Sequence, residues 1–230
     1  MTDAPAEQVY YRNAGTMMDR NLGATSATPG DVGALGLMYQ WGRKDPFMGS
    51  SSISSEVEAK STISFPTIKA TSSVVGTVDY ATKNPTTMIK GQTQNEWMYV
   101  EDQTLWQSTK TIYDPCPAGW RVPDAGENGI WVKANGSNSI AVNPFDATNK
   151  GVQLSGHMGA DTSIWYPATG YYGNANGLFY GVGEHATYLS CTPGDTYGAL
   201  CMVVKADADN MYLLYLTDLG GADPVRCCKE

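Results

Sequence analysis

The sequence predicts an α+β fold of short antiparallel strands, few short helices and long irregular loops. Three features point there. The 230 residues include 25 Gly and 12 Pro while only 17% are charged, a mixture that interrupts long helices and suits strands and turns. Fourteen Tyr and six Trp stand against four Phe, so most rings carry a polar tip that suits a half-buried position. From residue 164 onward, short apolar and aromatic runs alternate with turn-forming residues.

In chain order, Val9-Tyr10-Tyr11 reads as a strand, and Gly36 to Gly42 as one short buried element whose aromatic spacing sets rings against a core. Residues 48–87 are rich in Ser and Thr and read as a long excursion of loops and short strands, with Pro66 and Pro85 limiting regular structure. Residues 95–110, carrying Trp97 and Trp106, form either a brief helix or an ordered loop. Between Thr111 and Pro123 three prolines fall within nine residues, so much of that backbone is preset and cannot be helical. Cys116 sits inside this rigid segment, a natural staple point. Then Ile164-Trp165-Tyr166, Gly177 to Tyr180, Thr187 to Cys191, Ala199 to Val204 and Met211 to Leu216 read as successive antiparallel strands and hairpins. Neither an exact repeat nor a clear linker divides the chain. Residues 1–230 therefore read as a single domain and, if the natural protein is exported, as the C-terminal part of a longer one. Met1 to Ala6 has neither the basic nor the apolar part of a signal peptide, so export implies an upstream segment that has been removed.

Charge and composition exclude several functions. A formal charge of −8 argues against nucleic acid, because phosphate binding needs clustered Lys and Arg. No apolar run approaches the ~20 residues that cross a bilayer, so direct membrane insertion is not expected. The five cysteines are Cys116, Cys191, Cys201, Cys227 and Cys228. With no Cys-x-x-Cys and only two histidines, a zinc framework is not expected, and disulfides with one thiol left over are the better reading.

Six segments, in this order, carry a family resemblance: Asp19-Arg20-Asn21-Leu22-Gly23-Ala24; Tyr39-Gln40-Trp41-Gly42-Arg43; Lys83-Asn84-Pro85-Thr86-Thr87; Tyr113-Asp114-Pro115-Cys116-Pro117-Ala118-Gly119-Trp120-Arg121-Val122-Pro123; Trp165-Tyr166-Pro167-Ala168-Thr169-Gly170-Tyr171; and Pro224-Val225-Arg226-Cys227. Together they resemble the bacterial major paralogous (FISUMP) domain over roughly residues 8–230. The resemblance implies a C-type-lectin-like fold related to the formylglycine-generating-enzyme branch. It also implies an extracellular setting, at a bacterial cell surface on a lipoprotein or pilus tip, on a phage tail, or among retroelement-diversified variable proteins. Trp41, Trp120 and Trp165, each within a rigid motif, are expected to be buried. Where the family reads Tyr-Trp-Ser-Ser before a Thr-Pro turn, this chain has Tyr188-Leu189-Ser190-Cys191-Thr192-Pro193, so a core tryptophan is replaced.

Against that family background, Cys116 and Cys227 form either a redox or nucleophilic pair, as the formylglycine-generating branch uses cysteines, or a disulfide. The disulfide is preferred; it would close a loop of about 110 residues, worth ~4 kcal/mol in the chain-entropy picture. Cys191 and Cys201 stand where the family does not usually have cysteine, flanking the turn at 192–200, which suggests a second disulfide across a hairpin. Cys228, whose side chain alternates away from that of Cys227 on a strand, is the leftover thiol.

His157 and His185 have no Cys or second His at ligand spacing, and no Gly-x-Ser-x-Gly nucleophile elbow is present; catalysis is not expected. No cofactor is expected either. Asp207, Asp209, Asp218 and Asp223 offer oxygen ligands for calcium, but their spacing lacks a loop with a terminal Glu and a solvated loop explains them equally well. The richest stretch is 171–223. Tyr171, Tyr172, Asn174, Asn176, Leu178, Tyr180, His185, Thr187, Asp195, Tyr197, Asp207, Tyr212 and Tyr215 lie there among glycines, the composition of recognition loops. Tyr172, Tyr180, His185 and Tyr197 are expected to be exposed on one face. The sequence therefore predicts a domain that grips a protein or glycan receptor, with other pilus or tail subunits as further partners, a structural pilus or filament subunit as the alternative and a formylglycine-generating-type enzyme as a third.

Overall fold

The computed structural model describes residues 8–11, 14–50, 66–91, 96–136, 140–155, 163–194, 198–207 and 210–230. Its largest contacts lie in an antiparallel sheet formed by His185–Pro193 (β13), Ala199–Lys205 (β14), Asn210–Thr217 (β15) and Ile140–Val142 (β7), in the order β13-β14-β15-β7. A second four-stranded sheet, β1-β2-β17-β6, unites Gln8–Tyr11 (β1), Gly15–Met18 (β2), Cys228–Lys229 (β17) and Trp120–Arg121 (β6). It ties the first strand, the last strand and the proline-rich segment together. Phe145–Asp146 (β8), Gly151–Ser155 (β9) and Ser163–Pro167 (β10) make a three-stranded sheet. Three two-stranded pairs complete the description: Thr169–Tyr172 (β11) with Phe179–Val182 (β12), Met38–Tyr39 (β3) with Asp223–Pro224 (β16), and the parallel pair Thr67–Lys69 (β4) with Met88–Lys90 (β5).

Helix is scarce, as composition requires: Val78–Lys83 (α1) and Ile130–Ala134 (α2) are the α-helices among the described residues. Residues 96–110 are an ordered loop, held because Trp97 and Trp106 are fully buried; their indole N–H groups donate to Trp41 O at 2.7 Å and Tyr113 O at 3.0 Å. α2 was not legible in the pattern, yet it carries the fully buried Trp131.

Strand alternation divides the core. Ala186 and Tyr188 from β13, Met202 and Val204 from β14 and Met211 and Leu213 from β15 point to one side, where they meet Trp131, Leu154, Ile164 and Tyr166. A tryptophan-rich cluster holds Trp41, Trp97, Trp106 and Trp120 around Cys116 and Cys227, with Leu189 packed among them. Trp41, Trp120 and Trp165 are all buried. The third cluster gathers Met38, Phe47, Met88, Tyr172, Phe179 and Val182.

The Cys116–Cys227 disulfide is present, with a Cα–Cα distance of 6.0 Å across a sequence separation of 111 residues. The Cys191–Cys201 bond is not: both are free, buried thiols, as is Cys228. Register explains the correction. Leu189, not Cys191, lies opposite Cys201, and the pairing slips between Leu189 and Pro193. Cysteines offset by two residues across an antiparallel pair sit ~7–8 Å apart on the diagonal, beyond the reach of a disulfide. The Cys191 thiol instead lies 3.4 Å from Asp124 Oδ1, and that of Cys201 is 3.5 Å from Tyr215 O.

The motif residues act as buried locks. Arg226 donates from Nε and Nη2 to Asn21 Oδ1 at 3.0 and 2.6 Å and from Nη1 to Trp165 O at 2.7 Å, with its guanidinium 4.2 Å from the Tyr166 ring centre. Asn21 in turn donates to Leu35 O and the Tyr188 hydroxyl. Gln40 and Arg43 do the same for the Asn84–Thr87 motif: Arg43 Nη1 donates to Gln40 Oε1 and Thr87 O, while Gln40 Nε2 donates to Ile89 O and Gly220 O. Asp114 accepts from the Cys116 and Val122 backbone N–H groups and from Lys110 Nζ.

Candidate functional site: a tyrosine-lined double cleft

The side of β13–β15 turned away from the first core cluster forms the candidate site. His185 and Thr187 from β13, Val203 and Lys205 from β14, and Tyr215 and Thr217 from β15 line one cleft of about 440 Å3; on β15 the register slips between the Tyr212–Val203 and Tyr215–Cys201 pairs, which turns Tyr215 and Thr217 to the side opposite Met211 and Leu213. The hairpin β11–β12 supplies its other wall. Gly170 makes the close approach possible: at φ +76° it adopts a left-handed backbone, and a Cβ there would fall 2.6 Å from Tyr180 O. The turn between β11 and β12 contributes Asn174 and Asn176, and the 217–223 segment contributes Asp218, Gly221 and Asp223. A second cleft of about 590 Å3 adjoins the first and includes Phe145, Lys150, Glu184 and Asp207. The two share Tyr171, Tyr180, His185 and Lys205.

That shared wall is a stack of rings. Tyr171 lies 5.8 Å from Tyr180 and 5.1 Å from His185, centre to centre, both pairs tilted, and His185 Nε2 is 3.1 Å from Thr187 Oγ1. Burial, with the nearby Lys205 charge, lowers the His185 pKa to about 4, Asp207 acting the other way. The imidazole is therefore neutral at physiological pH. The Tyr180 hydroxyl accepts from Asn176 Nδ2 at 2.6 Å, and Asn174 Nδ2 donates to Asp218 Oδ2 at 2.7 Å, so the amides are braced by neighbours.

Of the residues singled out in the sequence, Tyr172, Asn174, Asn176, Tyr180, His185, Thr187 and Tyr215 line the first cleft, and Asp207 the second. Asp195 and Tyr197 lie outside the described residues, as does His157. Leu178 is exposed but lines neither cleft, and Tyr212 packs beside Tyr215, ring centres 6.0 Å apart. Tyr172 corrects the expectation of exposure. It is only 1% accessible, its ring is 4.5 Å from Phe179 in an edge-on contact, and its hydroxyl donates to Met48 O at 2.7 Å. Tyr172 is a core residue that borders the cleft. The four acids do not converge as one calcium cluster either: Asp218 and Asp223 line the first cleft, Asp207 the second, and Asp209 is outside the described residues. No group of three His, Cys, Asp or Glu suited to a metal occurs among the described residues. Lys205 and Thr217 were missed in the sequence; strand alternation from Val203 and Tyr215 would have found both.

The chain matches no family model, no curated protein and no solved structure. What the cleft accommodates must therefore be read from its own shape and chemistry.

Proposed function

We propose that this chain is a non-enzymatic ligand-binding domain of C-type-lectin-like fold in the FISUMP family, displayed outside a bacterial cell or on a phage tail, and that it grips a protein or glycan receptor through the double cleft. The observation that carries the proposal is the convergence of Tyr171, Tyr180, His185, Thr187 and Tyr215 from four separate strands on one concave surface. Rings flanked by braced amides supply contact area and directional hydrogen bonds at low entropic cost. No helix among the described residues is long and apolar enough to cross a membrane. The disulfide fits an oxidising compartment.

The enzyme alternative needs an accessible reduced cysteine pair. Cys116 and Cys227 are joined. Cys191, Cys201 and Cys228 are buried, and burial raises each thiol, Cys228 to about 11, which disfavours the reactive thiolate. A protein and glycan array probed with the purified domain tests the proposal, with Tyr180→Ala and Tyr215→Ala as paired controls. Specific binding that both substitutions weaken, in variants that melt like the parent, supports it. Binding untouched by either substitution sinks it.

A further inference from the structure

Asp223 holds an unusual position. It is 4% accessible, lines the first cleft, and its carboxyl group has no hydrogen bond or ion pair with any described residue. Its place in β16, opposite Tyr39 of β3, fixes its backbone beneath the cleft. Gly221 keeps space beside it: a Cβ at 221 would stand 3.5 Å from Asp223 Oδ2 and 2.9 Å from Tyr172 O. The second carboxylate on the lining, Asp218, is close enough for the two to interact electrostatically. Lys205, the one Lys or Arg on this lining, pairs with neither.

A buried carboxyl without a partner is costly, and a carboxyl pair aimed into an open, aromatic-lined space is satisfied by a compact cation. Resting on the ligand-binding role above, we propose that the floor of this cleft receives the primary ammonium of a lysine side chain from a partner protein, paired with Asp223 and Asp218 while its methylenes lie along the aromatic lining. A neutral sugar would leave the Asp223 carboxyl without a cation. A calcium ion calls for ~6–8 oxygens, and the described lining brings together only two carboxylates. The net charge of −8 favours approach of a basic partner surface.

Burial and the Asp218 charge both push the Asp223 pKa well above the ordinary carboxylate range. The titratable groups around it are Asp218, Cys201, Tyr39 and Tyr172, with His185 and Lys205 farther along the cleft. Ammonium binding then ionises Asp223 and releases a proton.

Calorimetric titration of the whole chain at neutral pH with Nα-acetyl-lysine methylamide tests this, alongside the uncharged norleucine analogue and calcium chloride. The lysine probe is expected to saturate the site and the norleucine analogue to bind at least about tenfold more weakly. Asp223→Asn, nearly isosteric, should cost the lysine probe about tenfold or more, as loss of one partner of a buried charge pair does. The measured enthalpy should also differ between buffers of different ionisation enthalpy. Should Asp223→Asn not fold, Asp218→Asn is the second variant, with a smaller loss in the same direction. Equal binding of the two amino-acid probes, no binding of the lysine probe, indifference to both substitutions, or saturation by calcium in its place overturns the proposal. Array binding that depends on Tyr180, without any lysine-probe binding, would remove this inference and leave the ligand-binding role standing; loss of both would remove both.

Discussion

Arg226 and Asp223, three residues apart near the end of the chain, are ionisable side chains buried almost equally, yet their surroundings differ completely. Every guanidinium nitrogen of Arg226 donates, to Asn21 or to Trp165 O, and its plane stacks on Tyr166. Asp223 faces open space and a second carboxylate. The first arrangement fixes how the N-terminal motif, β10 and the last strand sit together. The second adds no side-chain hydrogen bond or ion pair among the described residues. Buried polar groups that specify a structure are saturated by it, so an unsaturated one at the floor of a cleft marks where the scaffold stops and the ligand surface begins.

The largest expected effect breaks the scaffold side. Arg226→Ala leaves the Asn21 carbonyl oxygen and Trp165 O without their donors and opens a void beside Tyr166, three losses from one network. Urea unfolding should show a cost of about 3–5 kcal/mol, the range for disrupting a buried charged network. A loss below about 1 kcal/mol would mean that the motif residues do not lock the fold.

Tyr172 sharpens the boundary between the two regions because it touches both. Tyr172→Ala should cost about 3–5 kcal/mol of stability, as removal of a buried ring does. Tyr172→Phe loses the bond to Met48 O and should cost about 1 kcal/mol. A Tyr172→Ala variant that melts like the parent would return this ring to the exposed recognition surface.

This boundary decides what was legible in the sequence. The disulfide, the three buried motif tryptophans, the scarcity of helix and the strands after residue 164 could all be read, since each depends on local composition or on a rigid motif. Most of the cleft was legible too, because Tyr and Asn crowded among glycines cannot all be buried. Tyr172 misled because burial of a tyrosine depends on which neighbour arrives, here Phe179 and Met48, and no local pattern encodes that. The Cys191–Cys201 pair failed for a related reason: a two-residue register offset sets the thiols apart, and register is a property of the pairing, not of either strand. Asp223 read either as a calcium ligand or as part of a solvated acidic loop, and neither reading could foresee that β3 pairs with its strand.

On the cleft side, Tyr180→Ala and Tyr215→Ala should lower receptor affinity by about 1–3 kcal/mol each, the range of interface hot spots. Unfolding free energy should change by less than about 1 kcal/mol, because Tyr215 is half exposed and Tyr180 stands on the cleft wall. Surface plasmon resonance and urea melts on the same preparations give both numbers. A large stability loss at either position would move that tyrosine to the scaffold.

The smallest effect concerns His185. An imidazole is protonated near pH 6.5 in the unfolded chain but only near 4 in the folded one, since burial and Lys205 disfavour the cation. The unfolded state thus binds more protons between those values, and the contribution of His185 to stability is present above pH 6.5 and lost as the pH falls toward 4. The ceiling is ~1.4 kcal/mol for each unit of pH, and partial exposure of the ring keeps the slope below it. His185→Gln removes this dependence while keeping a polar group beside Thr187. Parent and variant should therefore unfold alike at pH 7, within about 1 kcal/mol, and diverge in acid with the variant the less destabilised. Other titrating groups, Asp223 included, act equally in both chains and cancel in the difference. If the gap between the two proteins stays constant from pH 7 to 4.5, the imidazole takes up its proton as readily in the cleft as in water, and the ring stack with Tyr171 is looser than the 5.1 Å contact describes.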